Sequence, residues 1–279
     1  MRINNNVTAL NANKNAGLNR ISAAKNTEKA SSGKQINKAA DNAAGLAISE
    51  KMRAQISGLN MASRNSQDAI SLLQTAEGGM SSIHGILQRV RELAVQSASD
   101  TNETVVDRSA LNNEATELIG EIDQVADTTE FNQMPLLNGS FEEGGANGPL
   151  TIQTGANEGQ TTDISIQAMN AQNLGVAEVD ISSGEAAQGA IGTVDSAMND
   201  VSMQRAELGA MQNRLEFRIQ NLNIQAENAA SAESRIRDTD MAKAMTALTR
   251  DKILSQASTS MQAQANSLPQ NVLQILGSQ

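Results

Sequence analysis

Few side chains in this sequence suit catalytic or metal chemistry, and they form no constellation. The chain has one histidine, His84, and no cysteine, so neither a two-histidine metal motif nor a cysteine nucleophile can be assembled. His84 follows Ile83 in a helical row, which favours a packing role. The acidic pair Glu142 and Glu143 lacks the loop spacing of a calcium site. We therefore predict no catalytic residue, no cofactor and no metal site.

The glycine-rich run at residues 144–148 is similar to a phosphate-binding loop only in composition. A P-loop ends in a Lys-Ser or Lys-Thr pair where a helix begins, because the lysine and the helix N-terminus hold the phosphates. The sequence has neither feature at this point. Glycines in the turns of β-hairpins explain the run better.

The charge of the chain is acidic and uneven. The formal net charge is −10, and residues 100–200 contain eighteen acids and one base, Arg108. Such a segment repels itself unless water surrounds it, so we expect the middle of the chain to face solvent. The same charge argues against nucleic acid as a partner.

The apolar and aromatic residues indicate how the chain packs and which classes of protein are excluded. No apolar run approaches the length of about 18 residues that suggests a membrane-spanning helix, and the N-terminus lacks the apolar region of a signal peptide. Aromatic residues make up 1% of the chain, so packing depends on aliphatic side chains, which suit the narrow seams of paired helices. We expect no membrane span.

The helices are organised around residues 194–236. Every seventh residue in this stretch is apolar, which predicts a long helix whose apolar edge packs on partner helices. We call this row the rod seam, and it consists of Val194, Val201, Leu208, Leu215, Leu222, Ala229 and Ile236. A second row, offset by four residues, is only half apolar and holds Met198, Arg205, Gln212, Ile219 and Ala226.

Other stretches carry similar periodicities. Apolar residues spaced by three and four predict helices at 43–97 and 108–127, besides the long helix at 185–236. The pair Gly78-Gly79 is expected to weaken or kink the first of these helices. Between residues 138 and 182, glycines separate short alternating runs, which predicts one or two β-hairpins.

Thin apolar rows mark both ends of the chain. Isolated helices of this kind are marginal in water, so we expect the two ends to pair with each other. Pro269 lies inside the C-terminal row, where a kink or a stop is expected. These terminal seams consist of Ile3, Val7, Leu10, Leu18 and Ile21 at one end, and of Leu254, Ala257, Met261, Leu268 and Val272 at the other.

Together the patterns predict a mainly α fold, a long antiparallel helical coiled-coil bundle with a small β-hairpin region in mid-chain. Residues 1–42 and 240–279 are predicted to form one domain of terminal helices. Residues 43–239 are predicted to form a rod-like middle domain.

Six segments resemble the signature motifs of bacterial flagellins and occur in the family's order. They are residues 31–50, 87–96, 129–132, 212–216, 234–242 and 265–273. The likeness departs at Ala30, Lys34 and Ala244, where the family usually has leucine, an apolar residue and glutamate, and these departures concern the local packing of the terminal helices. Residues 138–184 are too few for the large outer domains that many flagellins insert.

The resemblance implies a structural subunit that polymerises into the bacterial flagellar filament for motility, and not an enzyme. The terminal helices would form the inner filament domain, with the terminal seams as polymerisation seams. The implied partners are other copies of the chain, a flagellin export chaperone, the flagellar type III export apparatus, the filament cap and hook-associated proteins. The implied location is extracellular, on the flagellum, reached without a signal peptide.

Two alternatives stay open to different extents. A hook–filament junction (hook-associated) protein would share the terminal helices, although it usually carries a larger and different middle. Some flagellins carry a peptidase, but that enzyme needs a His-Glu-x-x-His motif and this chain has a single histidine.

The resemblance also implies a recognition patch for the Toll-like receptor that senses flagellin in hosts. By match to the family pattern, Arg89, Leu93 and Glu114 would form it. Arg89 and Leu93 lie four residues apart, on one helical face, and Glu114 lies beside them if the two helices are antiparallel. The alternative is that Leu93 packs inside the bundle while Arg89 and Glu114 form an ordinary surface ion pair.

Overall fold

A computed structural model of the chain describes residues 6–99, 105–142 and 144–277, without the side chains of residue 105 and residues 269–277. It confirms the mainly α fold, with long helices and small antiparallel strand pairs in mid-chain. The helices are α1 (Val7–Ser32), α2 (Ala43–Ser97), α3 (Val105–Thr128), α4 (Gly184–Arg237) and α5 (Met241–Gly277). The strands are β1 (Glu130–Phe131), β2 (Met134–Pro135), β3 (Leu150–Gln153) and β4 (Thr161–Ile164).

Helices α1 and α5 lie near the two termini of the chain, and polar side chains and one glycine determine where they begin and end. The Asn6 side chain accepts a hydrogen bond from the Ala9 N–H at 3.1 Å and begins α1. The same helix ends at Gly33, whose φ of 68° is left-handed. Asp240 begins α5, because its carboxylate accepts hydrogen bonds from the second and third residues of that helix.

The strands form two antiparallel hairpins. In the first, Asn132 and Gln133 turn the chain with φ values of 52° and 65°, and Phe131 pairs with Met134. In the second, Leu150 pairs with Ile164. The predicted hairpin region, 138–182, contains only the second hairpin. The first was missed because its strands are two residues long, too short to show a period-two pattern.

The described chain falls into two compact units. Unit 1 comprises Met1–Ala54 and Asn228–Gln279, and unit 2 comprises Gln55–Glu227. The sequence pattern predicts the domain boundaries at residues 42 and 239, just outside the predicted helices 43–97 and 185–236. In the structure, the first residues of α2 and the last of α4 belong to unit 1 together with α1 and α5.

The core of unit 2 is aliphatic. Helices α2, α3 and α4 bury one continuous cluster with the loops and strands of mid-chain. Leu73, Met80, Ile83 and Leu87 of α2 have no exposed surface, and Phe141 is the one ring buried in this core among the described residues. Packing therefore depends on many small contacts, as the composition suggests.

The rod seam is buried along unit 2. Val194, Val201, Leu208 and Leu215 are at most 1% exposed, and Leu222 is 4% exposed. The last two members, Ala229 and Ile236, are half-buried and belong to unit 1. The seam thus provides packing along α4 and presents no surface for a ligand.

A second buried row of α4 lies three residues after the rod seam, whereas the row offset by four residues, with Met198 and Arg205, is half-buried. Ala197 and Gln204 are buried, and Met211 packs against the same core. Small and amide side chains hide this row in the sequence, because they give a weak apolar signal. The Gln204 amide donates to the Ser165 carbonyl at 3.4 Å, so its burial is satisfied.

Neither Gly78-Gly79 nor Pro269 ends a helix. Helix α2 continues through the glycines to Ser97, and α5 continues through Pro269 to Gly277. A Cβ on Gly79 would lie 2.8 Å from Leu137 Cδ1 and 2.6 Å from Thr129 Oγ1, so this glycine lets the segment after α3 pack closely on α2. Pro269 lacks one N–H donor, and the remaining hydrogen bonds of a long helix compensate for the loss.

Candidate functional site

Helices α1 and α5 of unit 1 pair through polar and small side chains. Asn6 donates to the Ala265 carbonyl at 2.7 Å, and Asn26 donates to the Asp251 carboxylate at 2.7 Å. Ala16 of α1 is 2% exposed. Alanine and asparagine allow two helices to approach closely but bury little apolar area. Leu248 of α5, at 7% exposed, is a larger buried side chain.

The large apolar side chains of the terminal seams lie on other faces of the same two helices. Leu10 is 73% exposed and Met261 is 65% exposed. We expected the two ends to pair, and they do, but the seam residues do not bury one another. Those left exposed are Val7, Leu10, Leu18, Ile21, Leu254, Ala257, Met261 and Leu268. Ile3 and the Val272 side chain lie outside the described residues.

The exposed face of α5 also forms a shallow apolar groove. Met245, Ile253 and Leu254 line it together with Thr249. Exposed large side chains that gather in one place usually mark an interaction surface. The groove and the exposed seam residues together form what we call the outer apolar face of unit 1.

A second feature of unit 1 joins the α1–α2 turn to the α4–α5 turn. The Gln35 N–H donates to the Arg237 carbonyl at 2.7 Å, and the Thr239 N–H donates to the Gly33 carbonyl at 3.0 Å. We call this the turn joint. The two turns are distant in sequence. Their backbone hydrogen bonds hold the α1–α2 turn and the α4–α5 turn in a fixed register.

Arg237 anchors the turn joint with its side chain. The residue is 8% exposed, and its guanidinium donates to Glu50 Oε1 at 2.6 Å. Arg237, through this hydrogen bond, holds the pKa of Glu50 below its ordinary value. The sequence pattern singles out neither residue, although both lie in motif segments (31–50 and 234–242).

The predicted receptor-recognition residues lie together in unit 2, but not on one surface. Arg89 Nη2 lies 2.8 Å from Glu114 Oε1, and the two side chains are 50% and 46% exposed. Glu92 is a second partner of Arg89, at 3.3 Å. Leu93 is 1% exposed and packs in the core, so a partner docking on this surface can reach the ion pair but not Leu93.

His84 and the acidic residues are the side chains of this sequence that best suit metal or catalytic chemistry. Within the described ranges, no group of three or more potential ligands could hold a metal ion. The Nδ1 atom of His84 is buried and has no hydrogen-bond partner. Among the described helices, none is both long and apolar enough to cross a membrane.

Two sequence families cover most of the chain. Residues 3–142 match the family described as the bacterial flagellin N-terminal helical region. Residues 191–276 match the family described as the bacterial flagellin C-terminal helical region.

Several curated proteins match along their whole length. The chain is 51% identical over 278 residues to the flagellin of Halalkalibacterium halodurans, with 99% of this chain and 100% of that protein covered. It is 48% identical to the flagellin of Bacillus subtilis, at the same coverage. The flagellar filament 33 kDa core protein of Treponema phagedenis is 46% identical, again at 99% and 100% coverage.

Two solved structures are similar to parts of the chain. The crystal structure of Bacillus cereus flagellin matches at 32% identity and a TM-score of 0.49, covering 61% of this chain and 94% of that one. A hook-associated protein from Vibrio parahaemolyticus, itself of putative assignment, matches at 13% identity and a TM-score of 0.59, covering 71% and 100%. At that identity the second match speaks for the fold alone.

Proposed function

The chain belongs to the bacterial flagellin family and is a structural subunit of the flagellar filament, and from this premise we propose that the outer apolar face of unit 1 is its polymerisation surface. The observation that carries the proposal is the exposure of large apolar side chains on α1 and α5. In this proposal the terminal helices form the inner filament domain, and residues 43–239 form a rod-like middle domain.

The energetics favour burial of this face in the polymer. Fully burying one leucine or isoleucine side chain contributes about 1.5–3 kcal/mol. Leu10, Leu18, Ile21 and Ile253 are each more than half exposed in the single chain. Several such contacts, repeated at every subunit, would stabilise the filament, whereas the α1–α5 pairing acts within a single chain.

A pair of substitutions on α5 tests this surface. Ile253 is 60% exposed, and Gln256, on the same helix, is also exposed. We expect Ile253→Ser to slow or abolish polymerisation and Gln256→Ser to leave it unchanged, because only the first removes apolar area. Sedimentation of polymerised protein measures the effect, and circular dichroism of the monomers checks that both remain helical. Normal filaments from Ile253→Ser would exclude this part of the surface.

We also propose partners for the chain before it polymerises. An export chaperone would cover the groove of α5, because Met245, Ile253 and Leu254 expose apolar area that favours aggregation in free monomers. Passage through the flagellar type III export apparatus would carry the chain to the extracellular filament. The filament cap and hook-associated proteins would contact it there.

A purely structural role, without catalysis, completes this proposal. The family is one of structural filament proteins. In this proposal, helix pairing and the outer apolar face of the described chain serve assembly.

We further propose that Arg89 and Glu114 present a surface to the flagellin-sensing Toll-like receptor of a host. The support is that they form a half-exposed ion pair on unit 2. Leu93 would act indirectly, by packing α2 against Ala115 of α3 and so holding the two charged residues in place. The competing explanation is an ordinary surface ion pair, worth about 0–1 kcal/mol.

Arg91 provides a matched control for the receptor proposal. It lies on the same helix, is 44% exposed, and pairs with Asp195 at 2.6 Å, but it faces a different direction from Arg89 because two residues span about 200° of a helix. We expect Arg89→Ala to reduce signalling by the folded monomer in a receptor-reporter assay, and Arg91→Ala to leave it unchanged. Equal signalling by both variants and the wild type would make Arg89 a structural residue only.

A further inference from the structure

The loop before β3 contains the only two Asn-Gly pairs of the sequence. They are Asn138-Gly139 and Asn147-Gly148, and both asparagines are exposed. The Asn147 N–H donates to the Ser140 carbonyl at 3.0 Å, so the two pairs belong to one folded loop. Asn-Gly is the dipeptide in which an asparagine side chain most easily meets the next backbone nitrogen, because glycine has no Cβ in the way.

The two Asn-Gly pairs differ in the hydrogen bonds made by the asparagine side chain and by the backbone nitrogen of the glycine that follows it. The Asn138 side-chain carbonyl accepts a hydrogen bond from the Ser140 N–H at 3.0 Å, which folds the side chain over the intervening peptide nitrogen of Gly139. The Gly139 N–H donates no hydrogen bond to any described residue. By contrast, the Gly148 N–H donates to the Gly145 carbonyl at 3.2 Å.

We propose that Asn138 is a site of spontaneous deamidation and that the fold directs the reaction to it in preference to Asn147. The Gly139 nitrogen loses its proton to hydroxide and attacks Cγ of Asn138, and the intermediate expels ammonia to leave a five-membered succinimide. Water then opens the ring at either carbonyl, giving aspartate or isoaspartate. The net reaction consumes one water, releases one ammonia and involves no oxidant.

The fold assists this reaction at Asn138 in two ways. The Ser140 N–H already points at the side-chain oxygen on which negative charge develops, as a donor in an oxyanion hole does. The Gly139 N–H has no acceptor among the described residues to give up before it reacts. At Asn147 the nitrogen that must attack is that of Gly148, and it must first lose its hydrogen bond to the Gly145 carbonyl. This requirement lowers the fraction of molecules in which Asn147 can react.

The product changes a loop that is tied to the core. A carboxylate at position 138 would add negative charge close to Glu142, whose Oε2 lies 3.8 Å from the place where a Cβ on Gly139 would be. Isoaspartate would also add one carbon to the backbone directly after Leu137. That residue is fully buried, and its carbonyl accepts a hydrogen bond from the Met169 N–H at 2.8 Å.

The test compares the two asparagines in the same molecule. Full-length protein is incubated at mildly alkaline pH, folded or in concentrated urea, and deamidation at each asparagine is followed by peptide mass spectrometry. We expect Asn138 to react several times faster than Asn147 in the folded protein, and the two rates to converge in urea. Asn138→Gln should abolish the reaction at that position and leave the rate at Asn147 unchanged.

Two outcomes would overturn the proposal. If Asn147 reacted as fast as Asn138 in the folded chain, the hydrogen-bond geometry would not direct the reaction. If the same preference persisted in urea, it would come from local sequence and not from the fold. Neither outcome bears on polymerisation, so this proposal and the polymerisation surface are tested independently.

Discussion

At the scale of single residues, Arg237 shows how a cation is kept in a nearly closed site of unit 1. One side of its guanidinium meets Glu50, while its Nε is buried without a partner. Burial without full pairing costs free energy, and the backbone hydrogen bonds of the turn joint offset that cost. The Glu50 carboxylate, itself 51% exposed, is the partner that compensates the charge of Arg237.

The pH dependence of stability follows from this contact. The pKa of Glu50 is lowered from 4.5, chiefly by the hydrogen bond from Arg237. Because the folded pKa is below the unfolded one, the carboxylate contributes stability above about pH 4.5 that is lost as the pH falls through the folded value. We expect Glu50→Gln to lower the melting temperature at neutral pH and to approach the wild type in strong acid.

Thermal melts across this pH range provide the measurement. Glu233→Gln is the control, since Glu233 also lies in unit 1 and has no ion pair with a described residue. We expect Glu233→Gln to change the melting temperature at neutral pH less than Glu50→Gln does. A melting curve of Glu50→Gln that paralleled the wild type at every pH would mean that Glu50 makes no pH-dependent contribution to stability.

Leu215 and Asn213 test the rod seam at the same scale. Leu215 is 1% exposed, whereas Asn213 is exposed on the same helix. A carboxylate at position 215 would lose its hydration without gaining a partner, at a cost of several kcal/mol. Leu215→Asp should therefore lower the melting temperature strongly and Asn213→Asp only slightly. Comparable melts would contradict the packing of α4.

At the scale of elements, alanine substitution of two adjacent glycines of α2 is expected to change the stability of the protein in opposite directions. A Cβ on Gly78 would meet nothing within 4 Å, whereas a Cβ on Gly79 would lie 2.6 Å from Thr129 Oγ1 and 2.8 Å from Leu137 Cδ1. Alanine gains about 0.5–1 kcal/mol over glycine inside a helix. We expect Gly78→Ala to stabilise the protein by roughly that amount.

Gly79→Ala should destabilise the protein despite the same gain in helix propensity. Thr129 cannot easily move, because its hydroxyl donates to the Val125 carbonyl at 2.6 Å, and Leu137 is fully buried. Overpacking of this kind costs about 1–3 kcal/mol. Urea titration of both variants gives the comparison. A stabilised Gly79→Ala would show that the segment after α3 can shift away from α2.

Helical periodicity predicted the elements better than their contacts. The regular spacing of the rod seam identified α4, because apolar residues every seven positions require a helix with a buried edge. The terminal rows identified α1 and α5 but not the faces on which they pair, since alanine and asparagine carry no periodic signal. Leu93 illustrates the same limit. The sequence places Leu93 and Arg89 on one face of α2, but it does not show that the core covers Leu93.

At the scale of the whole molecule, the two units suggest that the middle folds without α5. Unit 2 has its own aliphatic core, whereas α1 depends on α5 for partners. Removal of Met241–Gln279 should therefore leave a soluble, largely folded middle that does not polymerise. Sedimentation and circular dichroism of the truncated protein test this. Filaments of normal length would exclude α5 from the polymerisation surface.

The pairing of α1 with α5 also determines the order in which the protein acquires its structure. The hydrogen bond from Asn6 to Ala265 spans 259 positions of the chain, and closing so long a loop carries an entropic cost that local helix formation does not. During synthesis, α1 is made first and waits for its partner until the chain is nearly complete. In refolding experiments followed by hydrogen exchange, amides of α1 should become protected after those of α2. The proposed polymerisation surface is thus completed last, which would postpone self-association until the rest of the molecule has folded.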